Sequence, residues 1–204
     1  MQTVPVTLAI DTAAPRLQLA LLLADGSVDV LIEEIATGHA ELIFGRLATL
    51  LERNGVTYDA VERVAVSTGP GSFTGLRIGL SAARGIGLAR DIPVVGVPSL
   101  LAVSLSAPEG QPVAVLLDAR RGEAYFQLFS SKGDPAGPAK LLPVVEAEGA
   151  VPTGAALLRG PFVDIGLLAQ FGAMADPAEF PPEAAYVREA DAKPQTAARI
   201  PRVS

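Results

Sequence analysis

The chain has 204 residues, half of them apolar, and a mean hydropathy of +0.39. That is enough for one large domain or two small lobes around a core of Ala, Val, Leu and Ile. A formal charge of −6, a pI near 4.8 and lysines only at 132, 140 and 193 argue against an independent nucleic-acid binder, which needs a basic surface. No cysteine is present, which excludes disulfides and thiolate chemistry. The opening Met1-Gln-Thr-Val-Pro lacks the basic region of a signal peptide, so a cytoplasmic protein without a membrane span is expected.

Val4 to Ile10 reads as a strand ending at Asp11-Thr12. Arg16 to Leu23 and, after the Asp25-Gly26 turn, Val28 to Glu33 complete an antiparallel meander. His39 to Asn54 carries Leu42, Ile43, Leu47, Leu50 and Leu51 on helical spacing. Gly38 and Glu41 resemble a capping arrangement at its start, and Asn54-Gly55 closes it. The apolar run Val61 to Ser67 feeds a loop holding Gly69, Pro70, Gly71, Ser72, Phe73 and Thr74. A helix is predicted from near Thr74 or Gly75 to Arg90, with the Thr74 hydroxyl as its cap. A strand at Pro93 to Val97 and a helix at Leu100 to Ser106, ended by Pro108, follow.

The second half restarts in the same way. Val113 to Leu117 ends at Asp118, and Ala124 to Phe129 returns after Arg120-Arg121-Gly122, a short echo of a duplicated fold. Ser131 to Pro143 reads as loop, Ala147 to Leu158 as a short helix, Pro161 to Val163 as strand and Ile165 to Met174 as helix. Residues 1–106 are expected to form an N-terminal lobe of sheet and helices, and residues 107–188 a smaller C-terminal lobe ending in an extended segment. Residues 189–204 are expected to be a mobile polar tail.

The glycine loop before a helix reads in two ways, as an anion cradle or as an ordinary tight strand-to-helix turn. Gly75, Gly79, Ala83 and Gly87 recur every fourth residue and form a narrow flat stripe. Each glycine costs a helix about 1 kcal/mol against alanine, so the stripe implies another backbone close by. That backbone is either the chain's own sheet or a second subunit. Arg77, Arg84 and Arg90 in the same helix argue against a membrane span. Arg77 follows a helix start, where a cation is disfavoured, and so implies a specific partner. A carboxylate such as Asp11, or one across an interface, would serve.

Gly69-Pro-Gly-Ser-Phe-Thr-Gly-Leu-Arg77, preceded by Asp11-Thr12 and followed by Asp118-Ala-Arg-Arg-Gly-Glu-Ala-Tyr125 and Tyr186-Val-Arg188, resembles the bacterial TsaB (YeaZ) family along nearly the whole chain. The resemblance implies an α/β fold of the two-lobed actin/Hsp70 (ASKHA) type, with mixed sheets, flanking helices and a degenerate nucleotide site. It also implies a part in making threonylcarbamoyladenosine in tRNA, as a non-catalytic partner of TsaD that the ATPase TsaE joins. A lone chain is expected to form a homodimer and to reach tRNA only through the complex.

Active relatives of that fold carry glycines after the first acid, but Asp11 is followed here by Thr12, Ala13 and Ala14. Ala13 stands where the family usually has serine. The matching Asp118-Ala-Arg-Arg-Gly122 turn holds two bulky arginines, and no P-loop is present. No tightly bound cofactor is expected. Asp11, Thr12, Arg120 and Arg121 are the candidates for a nucleotide contact, with ATP or ADP at a subunit interface. Asp11 and Asp118 are assigned turn roles rather than metal binding. His39 is the only histidine, which leaves no paired-histidine metal site and one residue for any Ser-His-Asp triad. It is read as a polar cap, and no catalytic or metal-binding residue is assigned. The predicted partner surface is the helix pair 39–54 and 75–90, through His39, Phe44, Leu47, Gly75, Arg77, Gly79, Ala83 and Gly87. The alternative is a stand-alone nucleotide-binding or hydrolysing enzyme of this fold, and the family's older glycoprotease label is disfavoured.

Overall fold

The computed structural model describes residues 3–35, 37–185 and 187. Its first sheet is built from Thr7–Asp11 (β1), Leu17–Leu22 (β2), Val28–Glu33 (β3), Arg63–Gly69 (β4) and Val94–Pro98 (β5), in the order β3-β2-β1-β4-β5. The meander β1-β2-β3 is antiparallel, and β4 and β5 extend it in parallel. Two helices, His39–Arg53 (α1) and Phe73–Arg90 (α2), cover one face. Period-two alternation aims Leu8, Ile10, Leu17, Leu19 and Leu21 at Ile43, Leu47, Leu50 and Ala83 of that pair.

The opposite face presents the small residues Ala9, Ala20 and Ala65. They admit the helix Ile165–Met174 (α5), in which a Cβ on Gly172 would lie 2.4 Å from Ala65 Cβ. Both faces of β2 are therefore buried, and its alternating pattern carries no exposed side.

The second sheet contains Val113–Arg120 (β6), Glu123–Ser131 (β7), Asp134–Pro135 (β8), Lys140–Pro143 (β9) and Ala156–Leu158 (β10). β6 lies between β10 and β7, while β8 and β9 both pair with β7. A short helix, Ser99–Ser104 (α3), joins the sheets, and Val144–Gly149 (α4) covers part of the outer face. One apolar core runs between the sheets, from Ala65 and Val95 through Leu100 and Leu168 to Val113, Val115 and Phe129. α5 follows the second sheet in sequence yet packs on the first. The chain then passes along β5, where Phe180 O accepts from Gly96 N at 2.8 Å and Ala185 N donates to Thr68 O at 2.8 Å.

Several local expectations change. The loop expected over Ser131 to Pro143 contains β8 and β9, both of which pair with β7. The helix expected over Ala147 to Leu158 splits into α4 and β10, because Gly149, Pro152 and Gly154 stop the helix and allow a strand against β6. Pro161 to Val163 is not a strand. Gly38 precedes α1 at φ +88° without a side-chain cap. The cap of α2 is Ser72, whose Oγ accepts from Gly75 N at 3.2 Å, so the helix begins two residues earlier than a Thr74 cap predicts. Tyr186, Arg188 and the segment 189–204 lie outside the described residues. No described helix is long and apolar enough to cross a membrane.

Candidate functional site

Asp11 ends β1 with its side chain fully buried. Gln18 Nε2 donates to its Oδ2 at 3.0 Å and Ala13 N to its Oδ1 at 3.2 Å. Burial pushes the carboxyl above its ordinary range; the Gln18 amide, the Ser67 hydroxyl, the Ala13 amide and attraction from His39 oppose it. Asp11 is thus an interior turn residue. It does not meet Arg77, whose guanidinium stacks instead on the Phe73 ring at 3.9 Å.

The next residues are locked to α2. Thr12 Oγ1 donates to Gly75 O at 2.7 Å, and Ser72 N donates to Ala13 O at 2.7 Å. A Cβ on Gly71 would stand 2.6 Å from Ala13 O, and one on Gly75 1.9 Å from Thr12 O. One on Gly79 would stand 2.5 Å from Thr12 Oγ1, and one on Gly87 2.3 Å from Val94 Cγ2. Ala83 is likewise fully buried. The stripe therefore makes its close approach to the chain's own sheet, and the expectation that Gly75, Gly79, Ala83 and Gly87 face a partner is corrected. Its cause is that the loop after β1 runs directly beneath the first turn of α2. The Ala13 carbonyl takes the Ser72 amide, one of the loop N–H groups that an anion cradle would use.

Of the remaining partner-surface residues, His39 and Leu47 are also interior: a His39 ring nitrogen lies 3.2 Å from Arg16 O, and Leu47 is in the α1 core. Phe44 is 54% exposed, and Phe73, placed from sequence in the structural loop, is 52% exposed. Together with Ala40, Ile43, Arg77 and Ile78 they line an apolar groove of about 460 Å³ between α1 and α2. In the same loop Gly69 and Pro70 are buried, whereas Gly71, Ser72 and Thr74 are exposed.

A second cavity of about 800 Å³ lies between the start of α2 and the β6–β7 turn. Ala13, Gly71, Ser72 and Thr74 face Leu117, Asp118, Arg120, Tyr125 and Arg159 across it. Asp118 Oδ1 accepts from Arg120 N at 2.7 Å. Arg120 at φ +63°, Arg121 at +55° and Gly122 at +77° make a left-handed turn, which glycine or asparagine would adopt with less strain. Arg159 pairs with Glu148 at 2.8 Å. Among the four nucleotide-contact candidates, Arg120 alone lines the cavity; Asp11 and Thr12 are beneath its wall and Arg121 is at the turn's tip. No group of three or more His, Asp or Glu able to hold a metal occurs among the described residues.

The sequence reading missed Tyr125 and Arg159 in the cleft, and Phe73 and Ile78 in the groove. The spacing of Phe73 and Arg77, one helical turn apart, was the available signal for their stacking.

Residues 30–150 match the family profile described as "TsaD: tRNA N6-adenosine threonylcarbamoyltransferase". The chain is 34% identical over 122 residues to the tRNA threonylcarbamoyladenosine biosynthesis protein TsaB of Escherichia coli K12, covering 58% of this chain and 52% of that one. It is 35% identical over 206 residues to an uncharacterized Mycobacterium tuberculosis protein, covering 92% and 93%. Among solved structures it resembles YeaZ from Pseudomonas aeruginosa, with a TM-score of 0.74 and 25% identity over 89% of this chain and 99% of that one. The chain matches about half the length of the relatives named TsaB.

Proposed function

Because the chain belongs to the TsaB/YeaZ branch of the tRNA N6-adenosine threonylcarbamoyltransferase family, we propose that it acts in threonylcarbamoyladenosine biosynthesis as a non-catalytic scaffold for TsaD. The observation that carries this reading is the apolar groove between α1 and α2, with Phe44 and Phe73 half-exposed on its walls and Arg77 at its rim. Exposed aromatic residues flanking an apolar channel, with an arginine beside them, have the composition of an interface centre. A helix from TsaD fits such a groove by laying its apolar face between α1 and α2. The same face serves a homodimer of the lone chain, and TsaE joins the assembled pair. An acidic chain with three lysines reaches tRNA through its partners, in the cytoplasm.

The groove and the cleft share Phe73 and Thr74. A partner on α1 and α2 would border the cleft, and that border, with Arg120 near it, is the place proposed for ATP or ADP. Asp11 accepts from Ala13 N and Asp118 from Arg120 N, and these local bonds support turn roles for both carboxylates in the scaffold reading.

The test is reconstituted threonylcarbamoyl transfer to tRNA from purified components, with this chain omitted, wild-type, or carrying Phe44→Asp. Transfer that needs the wild-type chain and fails with Phe44→Asp supports the scaffold. Transfer at full rate without the chain, or with the variant, contradicts it.

A further inference from the structure

The loops that line the cleft at one end are Ala13-Ala14-Pro15 and Arg159-Gly160-Pro161. The residue that follows each pair of lips touches the other: the Arg16 guanidinium carbon sits 3.8 Å above the Phe162 ring centroid. Behind them the two segments diverge into different structure. Arg16 leads into β2, and Phe162 leads through buried Val163 into α5. The backbone of the Arg16 loop is otherwise pinned by the Thr12 and Ala13 hydrogen bonds, so movement at this end falls to the two side chains and the 159–162 segment.

We propose that Arg16 and Phe162 form a releasable clasp that sets the opening of the cleft at this end, and that His39 anchors it to α1. Three observations support release at small cost. The ion pair of Arg16 is with Glu34, whose side chain is 64% exposed, so water competes for it. Arg16 Nε is buried and makes no hydrogen bond in the clasped arrangement. The 159–162 segment has no regular secondary structure and contains Gly160. The anchor is the His39 ring, whose nitrogen is 3.2 Å from Arg16 O. The following residue, Ala40, lines the α1/α2 groove, so one turn of α1 borders both the groove and the clasp's support. The inference concerns the lone chain and stands or falls apart from docking of TsaD.

The absence of native cysteine allows two nitroxide labels, at Thr74→Cys on one wall and Pro161→Cys in the 159–162 segment, both exposed positions that line the cleft. Their distance distribution reads the opening directly. Phe162→Leu keeps apolar volume but removes the π face, and Arg16→Gln removes the cation. Each is expected to broaden the distribution toward longer distances and raise the open population roughly three- to thirtyfold, the range of a cation–π contact. Phe162→Tyr keeps the ring and is expected to retain the wild-type distribution. His39→Ala is expected to broaden it less than Arg16→Gln does, because the Thr12 and Ala13 hydrogen bonds still hold the loop backbone. Wild-type distributions in both Phe162→Leu and Arg16→Gln, or a broad one in Phe162→Tyr, would overturn the clasp. A wild-type distribution in His39→Ala would overturn the anchor.

Discussion

Two alanine substitutions in one helix are expected to act with opposite signs. Gly75 and Gly85 both lie inside α2, and each gains about 1 kcal/mol of helix propensity on becoming alanine. At Gly85 a Cβ meets nothing within 4 Å, so that gain is expressed. At Gly75 the Cβ would lie 1.9 Å from Thr12 O and 3.1 Å from Thr12 C. Both are backbone atoms, held by the Thr12 hydroxyl bond to Gly75 O at 2.7 Å and by Ser72 N on Ala13 O at 2.7 Å. Relief requires the loop after β1 to separate from α2, with overpacking strain at or above the upper end of the ordinary range of about 1–3 kcal/mol. The net expectation for Gly75→Ala is a loss of about 2–3 kcal/mol, or roughly 4–12 °C in melting temperature for a chain of this size. Gly85→Ala should rise by roughly 2–4 °C. Thermal unfolding followed by circular dichroism, with both variants beside wild type, reads the pair. A Gly75→Ala protein melting at or above wild type would refute the packing of the stripe on its own sheet.

Asp11→Asn should change the pH dependence of stability. The fold raises the Asp11 pKa, so the native state binds that proton more tightly than the unfolded chain. Its contribution is fully present below the ordinary aspartate value of about 3.9 and is lost as pH rises through the raised native value. The stability of the variant relative to wild type should therefore increase from pH 4 to pH 8 in paired denaturant titrations; a flat difference would disprove the burial argument. Gly96→Ala should lower stability and loosen the returning segment, because its Cβ would stand 2.3 Å from Pro181 O and 2.8 Å from Pro182 Cα. Faster amide exchange at Gly96 and Ala185 checks this, and unchanged exchange would contradict it. The purified chain should hydrolyse ATP at the rate of a buffer blank, and turnover that survives repurification and disappears with Asp118→Ala would contradict the scaffold reading.

Local patterns carried much of the fold. The 3.6-residue spacing of Ile43, Leu47, Leu50 and Leu51 identified α1, and the Asp25-Gly26 turn identified the β2–β3 hairpin. The parallel addition of β4 and β5 depends on pairings between Thr7 and Arg63 and between Val64 and Val94, which no local signal encodes. β8 and β9 are two and four residues long, and their pairing with β7 is equally non-local. The stripe at Gly75, Gly79, Ala83 and Gly87 meets a close backbone at Gly75 and close side chains at Gly79 and Gly87, and a one-dimensional pattern says neither which kind of neighbour nor whose. The small partners Ala9, Ala20 and Ala65 belong to the opposite face and receive α5. On the α2 side, the Thr12 carbonyl, a backbone atom with no sequence signature, approaches Gly75, while the Thr12 hydroxyl and the Val94 side chain approach Gly79 and Gly87. Arg77 announced a need for a partner, yet its nearest solution was the ring one helical turn earlier, not a distant carboxylate.

TsaD is proposed to dock on the outward-facing residues of α1 and α2. A titration of labelled TsaD with wild-type chain, Phe44→Asp and Arg77→Glu tests it most directly, with melting curves of the free proteins alongside. Phe44 is 54% exposed, so an aspartate there should leave the fold intact. A charge in the centre of an apolar contact should cost at least about 2 kcal/mol, or roughly thirtyfold in Kd. Arg77→Glu should weaken binding less, since the arginine lies at the rim. Normal melting with a thirtyfold weaker Phe44→Asp complex is the predicted result; a normally folded Phe44→Asp protein that binds TsaD with wild-type affinity would contradict the account.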